Sequence, residues 1–283
     1  MNIRVIPRLD IKGPNLVKGI HFEGLRVMGK PEDFARFYYE NGADELFYQD
    51  AVASLYGRNS LLDIVKKTSQ EIFIPLCVGG GLRNVDDIRQ VLRAGADKVA
   101  LNTAVIDRPE LIKEASRAFG SSTILVSIEA IRKTDSTYEA CVDYGRESTG
   151  IDAIEWAQKA VEFGAGELLV TSIDQEGTGN GFDLELTKRI AEMVPVPVIA
   201  CGGCGDVSHI LDVIKKSEAD AVSIASILHY EFIKDGLMNL DKDFSKEGNL
   251  EFLRSNNKFS RINTSTIQKI KEYLIENNIP CRI

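Results

Sequence analysis

Short apolar runs and amphipathic stretches alternate along the chain. A run such as 122-STILVSI-128 is apolar at nearly every position, as expected of a parallel strand covered on both faces. Such runs predict eight strands, near residues 4–9, 45–50, 73–78, 97–101, 122–129, 167–172, 197–201 and 220–224. The stretches between them predict helices near 31–41, 59–70, 84–95, 108–119, 151–163, 184–193 and 206–217, with a last one near 264–277. Eight βα units favour a closed (βα)8 TIM barrel, and an open doubly wound sheet is the alternative.

An internal repeat separates these two folds. The segment 73-FIPLCVGGG-81 returns as 196-VPVIACGGC-204, and 96-ADKVALNTA-104 returns as 219-ADAVSIASI-227, both 123 residues later. Two matching halves of four βα units fit a closed barrel and are hard to place in an open sheet. We therefore predict one α/β barrel domain over residues 1–283, with a twofold half-barrel repeat.

Two long segments follow predicted strands at the barrel end where substrates bind. Residues 11–30 follow the first strand and are predicted to form a rim loop that carries several basic side chains. Residues 230–262 follow the eighth strand, are polar and charged, and lack a sustained apolar stripe. They predict a surface loop inserted into the barrel domain. A docking surface or an active-site flap is the alternative for this insertion.

The composition indicates a soluble cytoplasmic protein. The net charge of −8 argues against nucleic-acid binding, because such domains carry basic patches. The N-terminus does not resemble a signal peptide, no window approaches the roughly 18 apolar residues of a membrane span, and the five cysteines are expected to be reduced. No metal or other cofactor is expected, because Cys201 and Cys204 have no second pair or nearby histidine to complete a zinc site.

Carboxylates gather at the ends of the predicted strands: Asp10, Asp50, Glu129, Asp174 and Glu176. Asp10 and Glu129 take equivalent places in the two half-barrels and should face each other across the mouth. A carboxylate on each side of a bound molecule can supply one general acid and one general base. Salt bridges with lysines of the rim loops are the non-catalytic alternative.

Glycines close two equivalent strands. Gly80 and Gly81 follow the third strand, and Gly202 and Gly203 follow the seventh. Glycine lets backbone N–H groups approach an anion closely, and a following helix N-terminus adds a favourable dipole. Two such sites on opposite sides of one mouth predict a substrate with a phosphate near each end.

Seven segments carry a resemblance to a known family: 6-IPRLDIKG-13, 16-LVKGIHFEGLR-26, 42-GADEL-46, 75-PLCVGGGLR-83, 94-AGADKVALNTA-104, 164-GAGELLVTSIDQEGT-178 and 198-VIACGGCGD-206. Together they resemble the cyclase subunit family of imidazole-glycerol-phosphate synthase, over roughly residues 3–230 and the last helix. The resemblance implies a barrel whose bottom face docks a glutaminase (amidotransferase) subunit. Ammonia from that partner would pass through the barrel to a doubly phosphorylated ribonucleotide at the top, which the lyase cyclises and cleaves by acid–base catalysis.

The resemblance also implies roles for particular residues. Asp10 matches the first catalytic aspartate, and Lys18 lies in the loop that closes over substrate. One phosphate site falls on Gly81, Asn102 and Thr103, and the other on Gly177, Gly203, Ala225 and Ser226. The ammonia entrance falls on Arg4, Glu45, Lys98 and Glu167, where two acids and two bases at strand N-termini could form a closed gate. A purely structural charged ring is the alternative for these four.

Three departures from the family pattern concern the chemistry. Glu129 and Glu176 stand where the family has aspartates, and Arg8 stands where it usually has a small residue or cysteine. The longer carboxylates indicate retuned chemistry, because a misplacement of about 1 Å can cost on the order of 10²-fold in rate. Arg8 would add a positive charge close to Asp10. The insertion at 230–262 is also expected to be foreign to the histidine-pathway enzyme.

These departures favour a branch of the family associated with glycosyl amidation in bacterial surface-sugar biosynthesis. The segments 20-IHFEGLRVMGKPEDFA-35 and 51-AVASLYGRN-59 look closer to that branch. There the barrel and its glutaminase would supply ammonia to a third protein, which amidates a sugar. The cyclase of histidine biosynthesis is the alternative, and a non-catalytic ammonia conduit is an alternative of a different class.

Overall fold

The computed structural model describes residues 2–53, 61–239 and 261–283. Its strands are β1 (Arg4–Lys12), β2 (Asn15–Ile20), β3 (Glu23–Gly29), β4 (Leu46–Asp50), β5 (Leu76–Gly79), β6 (Lys98–Leu101), β7 (Ile124–Arg132), β8 (Tyr138–Val142), β9 (Glu147–Asp152), β10 (Glu167–Ser172), β11 (Val198–Cys201) and β12 (Ala221–Ile224). Eight of them form a parallel barrel in the order β1-β4-β5-β6-β7-β10-β11-β12, and β12 pairs back with β1. The eight predicted strands and the closed (βα)8 barrel are therefore confirmed.

Helices surround this barrel. They are α1 (Pro31–Glu40), α2 (Leu62–Thr68), α3 (Val85–Arg93), α4 (Thr103–Asp107), α5 (Glu110–Phe119), α6 (Ala153–Glu162), α7 (Leu184–Ala191), α8 (Val207–Ser217), α9 (Ser226–Asn239) and α10 (Ile267–Glu276). The eight predicted helices are present, whereas α4 and α9 were not predicted. Among the described residues, no helix has the length and apolarity needed to cross a membrane.

Alternation along the strands divides the apolar residues into two layers. On β1, Val5, Leu9 and Ile11 pack outward into the core between strands and helices. Ile6 points inward and joins a separate cluster in the barrel interior. The inner cluster comprises Ile6, Phe47, Cys77, Ala100, Leu125, Leu169, Ile199, Cys201 and Ala221. Both faces of each strand are therefore buried, which explains the nearly continuous apolar runs in the sequence.

The prediction of a rim loop over residues 11–30 was wrong, because β2 and β3 form an antiparallel hairpin there. A second hairpin, β8–β9, follows β7 and was not predicted. The two tips are equivalent in the repeat: His21 and Phe22 have positive φ, as do Asp143 and Tyr144 in the positions 122 residues later. A two-residue tip with positive φ is typical of a tight hairpin, but His21 and Phe22 include no glycine to mark it in the sequence. The second tip spans residues 143–146 and contains Gly145, whose φ is also positive.

The loop predicted for residues 230–262 is also wrong in its first part, because α9 continues to Asn239. Phe232 stacks against Phe34 and Phe37 of α1, with ring centroids 4.3 and 4.7 Å apart. These aromatic contacts bury one side of the helix, which a search for a long apolar stripe does not detect. The rest of the predicted insertion, residues 240–260, lies outside the described residues.

Candidate active site

Asp10 and Glu129 lie near the carboxyl ends of β1 and β7 on opposite sides of the barrel. Four strand-to-strand steps separate β1 from β7 in either direction around the sheet. Both carboxylates are buried, with 2% and 3% of their surface exposed. The structure therefore places the two predicted catalytic residues on opposite walls of one mouth.

A cavity of about 230 Å³ occupies the side of the mouth next to β5 and β6. We call it the β5–β6 cavity. Six of the predicted site residues line it: Asp50, Gly80, Gly81, Asn102, Thr103 and Glu129. The second hairpin forms its outer wall through Asp143 and Tyr144, and the Asp143 amide donates a hydrogen bond to Thr103 Oγ1 over 3.1 Å. The first predicted anion site thus lies in the same cavity as a buried carboxylate.

Glu129 has the electrostatic setting of an acid–base group. Burial raises the pKa of Glu129 to about 7, although the nearby Arg8 guanidinium opposes this rise. Asn102 Nδ2 donates a hydrogen bond to Glu129 Oε2 over 3.1 Å, which fixes the orientation of the carboxyl group. A carboxyl group with a pKa close to neutral pH can both donate and accept a proton during one turnover.

The second predicted anion site is nearly filled, whereas the repeat predicts two equal sites. The β11–β12 cavity has a volume of only about 20 Å³. It is lined by the predicted residues Glu176, Gly177, Gly202, Gly203, Ala225 and Ser226, together with Arg8, Cys201, Cys204, Ser223 and Ile224. The long side chains of Arg8 and Glu176 occupy this half of the mouth, which accounts for the small volume.

Lys18 and Glu176 form a buried salt bridge at this second site. The Lys18 ammonium, which comes from the first hairpin, holds the pKa of Glu176 below its usual range despite burial. The His21 amide donates to the Glu176 carbonyl oxygen over 2.9 Å, which ties the tip of the hairpin to the same loop. The first hairpin therefore covers the β11–β12 cavity.

Asp10 is paired with Arg8 rather than with a loop lysine. Arg8 Nε donates to Asp10 Oδ1 over 2.9 Å, and both side chains are buried. Burial works against the charge of Arg8, but the Asp10 carboxylate outweighs it and raises the pKa of Arg8 well above its usual value. The structure thus bears out the expected proximity of Arg8 to Asp10.

Asp174 does not belong to either cavity, although the sequence predicted it as a site residue. Its side chain is exposed, and Oδ2 accepts a hydrogen bond from the Arg132 amide over 2.8 Å. Asp174 follows β10 by two residues, where the chain has already turned outward. Among the described residues, no group of three or more His, Cys, Asp and Glu side chains is placed to hold a metal ion.

The four charged residues predicted at the opposite end of the barrel form a closed ring of salt bridges. Arg4 contacts Glu45 over 2.9 Å and also contacts Glu167. Lys98 contacts Glu45 over 3.0 Å and Glu167 over 2.9 Å. Despite burial, these two carboxylates raise the pKa of Lys98. The ring closes the end of the barrel interior that lies opposite the two cavities.

Several residues of the mouth were missed by the sequence analysis. Gln49 and Ser127 line the β5–β6 cavity, and Tyr144 stacks on Phe22 with ring centroids 4.2 Å apart. Gln49 lies two positions after the inward-facing Phe47, and Ser127 lies two positions after Leu125, which faces inward as well. Strand alternation could have found these two, because residues two apart share a face. Tyr144 lies on the hairpin that was not predicted.

Sequence comparisons find a matching family and several similar proteins. The family model described as "Histidine biosynthesis protein" matches residues 4–234. A protein of Legionella pneumophila named "Imidazole glycerol phosphate synthase subunit HisF" is 59% identical over 204 residues, which cover 72% of this chain and 96% of that protein. A protein of the same name from Methanococcus vannielii is 42% identical, and the alignment covers 99% of this chain and 98% of that protein. Another, from Bacillus cereus, is 48% identical, and the alignment covers 80% of this chain and 90% of that protein.

The alignment with the Methanococcus vannielii protein runs over 300 positions, more than the 283 residues of this chain, and therefore contains gaps. That the insertion at 230–262 is foreign to the histidine-pathway enzyme stays a prediction.

Proposed function

Since the chain belongs to the histidine biosynthesis protein family, we propose that it is the cyclase subunit of an imidazole glycerol phosphate synthase. In this role it is a lyase that takes ammonia from a glutaminase partner and acts on a doubly phosphorylated ribonucleotide. A cytoplasmic location is part of the same proposal. The departures at Arg8, Glu129 and Glu176 led the sequence analysis to prefer sugar amidation. The relatives described above support the histidine-pathway alternative instead, because all three carry the synthase name.

The proposal rests on one observation: the two ends of the barrel interior differ. The salt-bridged ring closes one end, and Glu129 lies in an open cavity at the other. Between them lies the inner apolar cluster. A nitrogen source docked on the ring side would therefore be separated from the reacting molecule by the length of the barrel. Ammonia is small and neutral, so an apolar interior can admit it while it excludes charged molecules.

At the mouth, we assign proton transfer to Glu129 and Asp10. Glu129 has a pKa of about 7, so at neutral pH it is present both as acid and as base. The glycines Gly80 and Gly81 and the N-terminus of α4 offer backbone N–H groups to one phosphate of the substrate. The β11–β12 cavity would take the other phosphate after Arg8 and the first hairpin have moved, because its present volume of about 20 Å³ cannot hold one.

Supply of ammonia for sugar amidation is the second candidate, and one observation favours it. Asp10 is held in a buried salt bridge with Arg8, and the cavity beside this pair is nearly filled. A barrel that only conducts ammonia would need no free Asp10. A non-catalytic conduit of this kind would retain the ring and the apolar interior but would not turn over the ribonucleotide.

One assay separates these candidates. The purified chain is supplied with a high concentration of ammonium and the phosphorylated ribonucleotide of the histidine pathway, and consumption of the ribonucleotide is followed. Turnover that is lost in Asp10→Asn supports the cyclase proposal. Absence of turnover, both in the natural chain and in Glu129→Asp, would contradict the proposal and favour the conduit.

A further inference from the structure

The Arg8 side chain lies between the barrel interior and the site at the mouth. Along β1, Arg4 belongs to the charged ring, Ile6 to the inner apolar cluster, and Arg8 and Asp10 follow at the same spacing of two. Residues two apart share a face of a strand and lie roughly 6–7 Å apart along it. The Arg8 side chain therefore lies between the inner cluster and Asp10, and only 2% of its surface is exposed.

The guanidinium of Arg8 reaches across the mouth end of the interior. From β1, its Nη1 lies 3.3 Å from Thr171 Oγ1 on β10 and 3.4 Å from Cys201 Sγ on β11. Two aromatic rings flank it: Cζ lies 5.7 Å from the centre of the Phe47 ring and 5.3 Å from that of Phe22. Phe47 belongs to the inner cluster and Phe22 to the hairpin that covers the mouth. Arg8 therefore lies between these rings, where the interior meets Asp10.

The small β11–β12 cavity offers Arg8 a second binding partner. Arg8 lines this cavity together with Gly177, Gly203 and Ser223. The Ser223 hydroxyl is buried and has no hydrogen-bond partner among the described residues. A guanidinium has five N–H donors in a planar fork that matches a phosphate or carboxylate group. An anion in this cavity would therefore bind the Ser223 hydroxyl and the Arg8 guanidinium, next to glycines with positive φ.

We propose that Arg8 is a gate that an anion opens: a phosphate group entering the β11–β12 cavity draws the guanidinium away from Asp10. The movement exchanges the bond from Nε to Asp10 for charge-assisted bonds to the anion. It frees the Asp10 carboxylate at the mouth and removes the guanidinium from the end of the interior. Ammonia then reaches the site only when substrate is bound. The consequence for ammonia rests on the proposed function, whereas the anion-driven movement of Arg8 does not.

The movement can be measured in the natural chain without any turnover. The protein is labelled with ¹⁵N-arginine, the Arg8 Nε–H signal is identified by its loss in Arg8→Lys, and inorganic phosphate is titrated against chloride at equal ionic strength. We expect a saturable shift of that signal with phosphate alone, together with faster exchange of its proton with water. A signal that stays unchanged throughout the phosphate titration overturns the proposal.

Turnover with ammonium supplies a second test, which distinguishes the gate from a merely structural arginine. Loss of the anion contact in Arg8→Met should raise KM for the ribonucleotide by about tenfold or more, and Arg8→Lys should restore part of it. The matched control is Arg36→Met, because Arg36 is an exposed arginine that pairs with Glu71 on the outside of the barrel. An unchanged KM in Arg8→Met contradicts the gate. If no variant and no natural chain turns over, the proposed function fails, while the phosphate titration still decides on the movement of Arg8.

Discussion

Asn102 Nδ2 donates a hydrogen bond to Glu129 Oε2 over 3.1 Å, on the wall of the β5–β6 cavity. The two residues come from β6–α4 and β7, neighbours in the barrel and in the sequence order of the strands. The bond orients a carboxyl group whose pKa is raised to about 7, chiefly by burial. A hydrogen bond therefore links a predicted anion-binding residue to a predicted catalytic residue.

Glu129 should make the stability of the folded chain depend on pH. Its pKa is about 4.5 when unperturbed and about 7 in the folded state, so the folded state binds the proton more tightly. The stabilisation is complete below pH 4.5 and is lost as the pH rises to 7. Glu129→Gln has no proton to lose. We expect the natural chain to lose about 3 kcal/mol of unfolding free energy relative to Glu129→Gln between pH 4.5 and pH 8, measured by urea denaturation.

The control for this measurement is Glu162→Gln, because Glu162 is an exposed glutamate at the end of α6. This variant controls for the exchange of a glutamate for a glutamine outside the mouth. Parallel curves for the natural chain and Glu129→Gln would show that burial does not perturb Glu129.

Asp10→Asn should abolish proton transfer at one wall of the mouth. We expect the ammonia-dependent turnover to fall by about 10²–10⁴-fold, the range of general acid–base catalysis. Glutaminase binding should be unchanged, because Asp10 lies at the end of β1 opposite Arg4 and the ring. Asp212→Asn, which changes an exposed carboxylate paired with Lys216 on α8, is the matched control. Unaltered turnover in Asp10→Asn would remove Asp10 from the mechanism.

Lys98→Ala should affect only the reaction that draws nitrogen from glutamine. The substitution leaves Glu45 and Glu167 with Arg4 as their remaining partner in the ring. We expect turnover with glutamine and the glutaminase to change by more than about fivefold, and turnover with free ammonium to stay the same. Lys188→Ala, on an exposed lysine that pairs with Glu192, should change neither rate. Equal effects of Lys98→Ala on both reactions would identify the ring as structural only.

Gly203→Ala should destabilise the β11–β12 side of the mouth. A Cβ at Gly203 would lie 2.0 Å from the Gly181 carbonyl oxygen, and φ is +97°. Gly42→Ala is a matched control, because Gly42 also has positive φ, at +84°, but has nothing within 4 Å of a Cβ. We expect Gly42→Ala to lose about 1–2 kcal/mol of unfolding free energy and Gly203→Ala clearly more. Equal losses in urea denaturation would mean that the backbone around Gly181 yields without cost.

The sequence by itself determined the order of the eight barrel strands and of the eight predicted helices, the closure of the barrel and the position of the charged groups along its axis. These features follow from the local periodicity of apolar residues and from the internal repeat. Both are visible in the sequence without knowledge of tertiary contacts. Arg4, Ile6, Arg8 and Asp10 share one face of β1 for the same reason. The four-residue ring at the bottom was also predictable, because each member begins or precedes a strand and opposite charges alternate around the barrel.

Only the tertiary structure decided that the two halves of the mouth differ. The repeat predicts two equal anion sites, but one cavity measures about 230 Å³ and the other about 20 Å³. The difference arises from contacts between distant segments: Arg8 reaches Thr171, 163 residues away, and Lys18 reaches Glu176, 158 residues away. Such contacts depend on side-chain volume and on which charges are buried together. Neither quantity is encoded in the periodicity of a single segment, so the filled cavity and the Arg8 gate required the folded barrel.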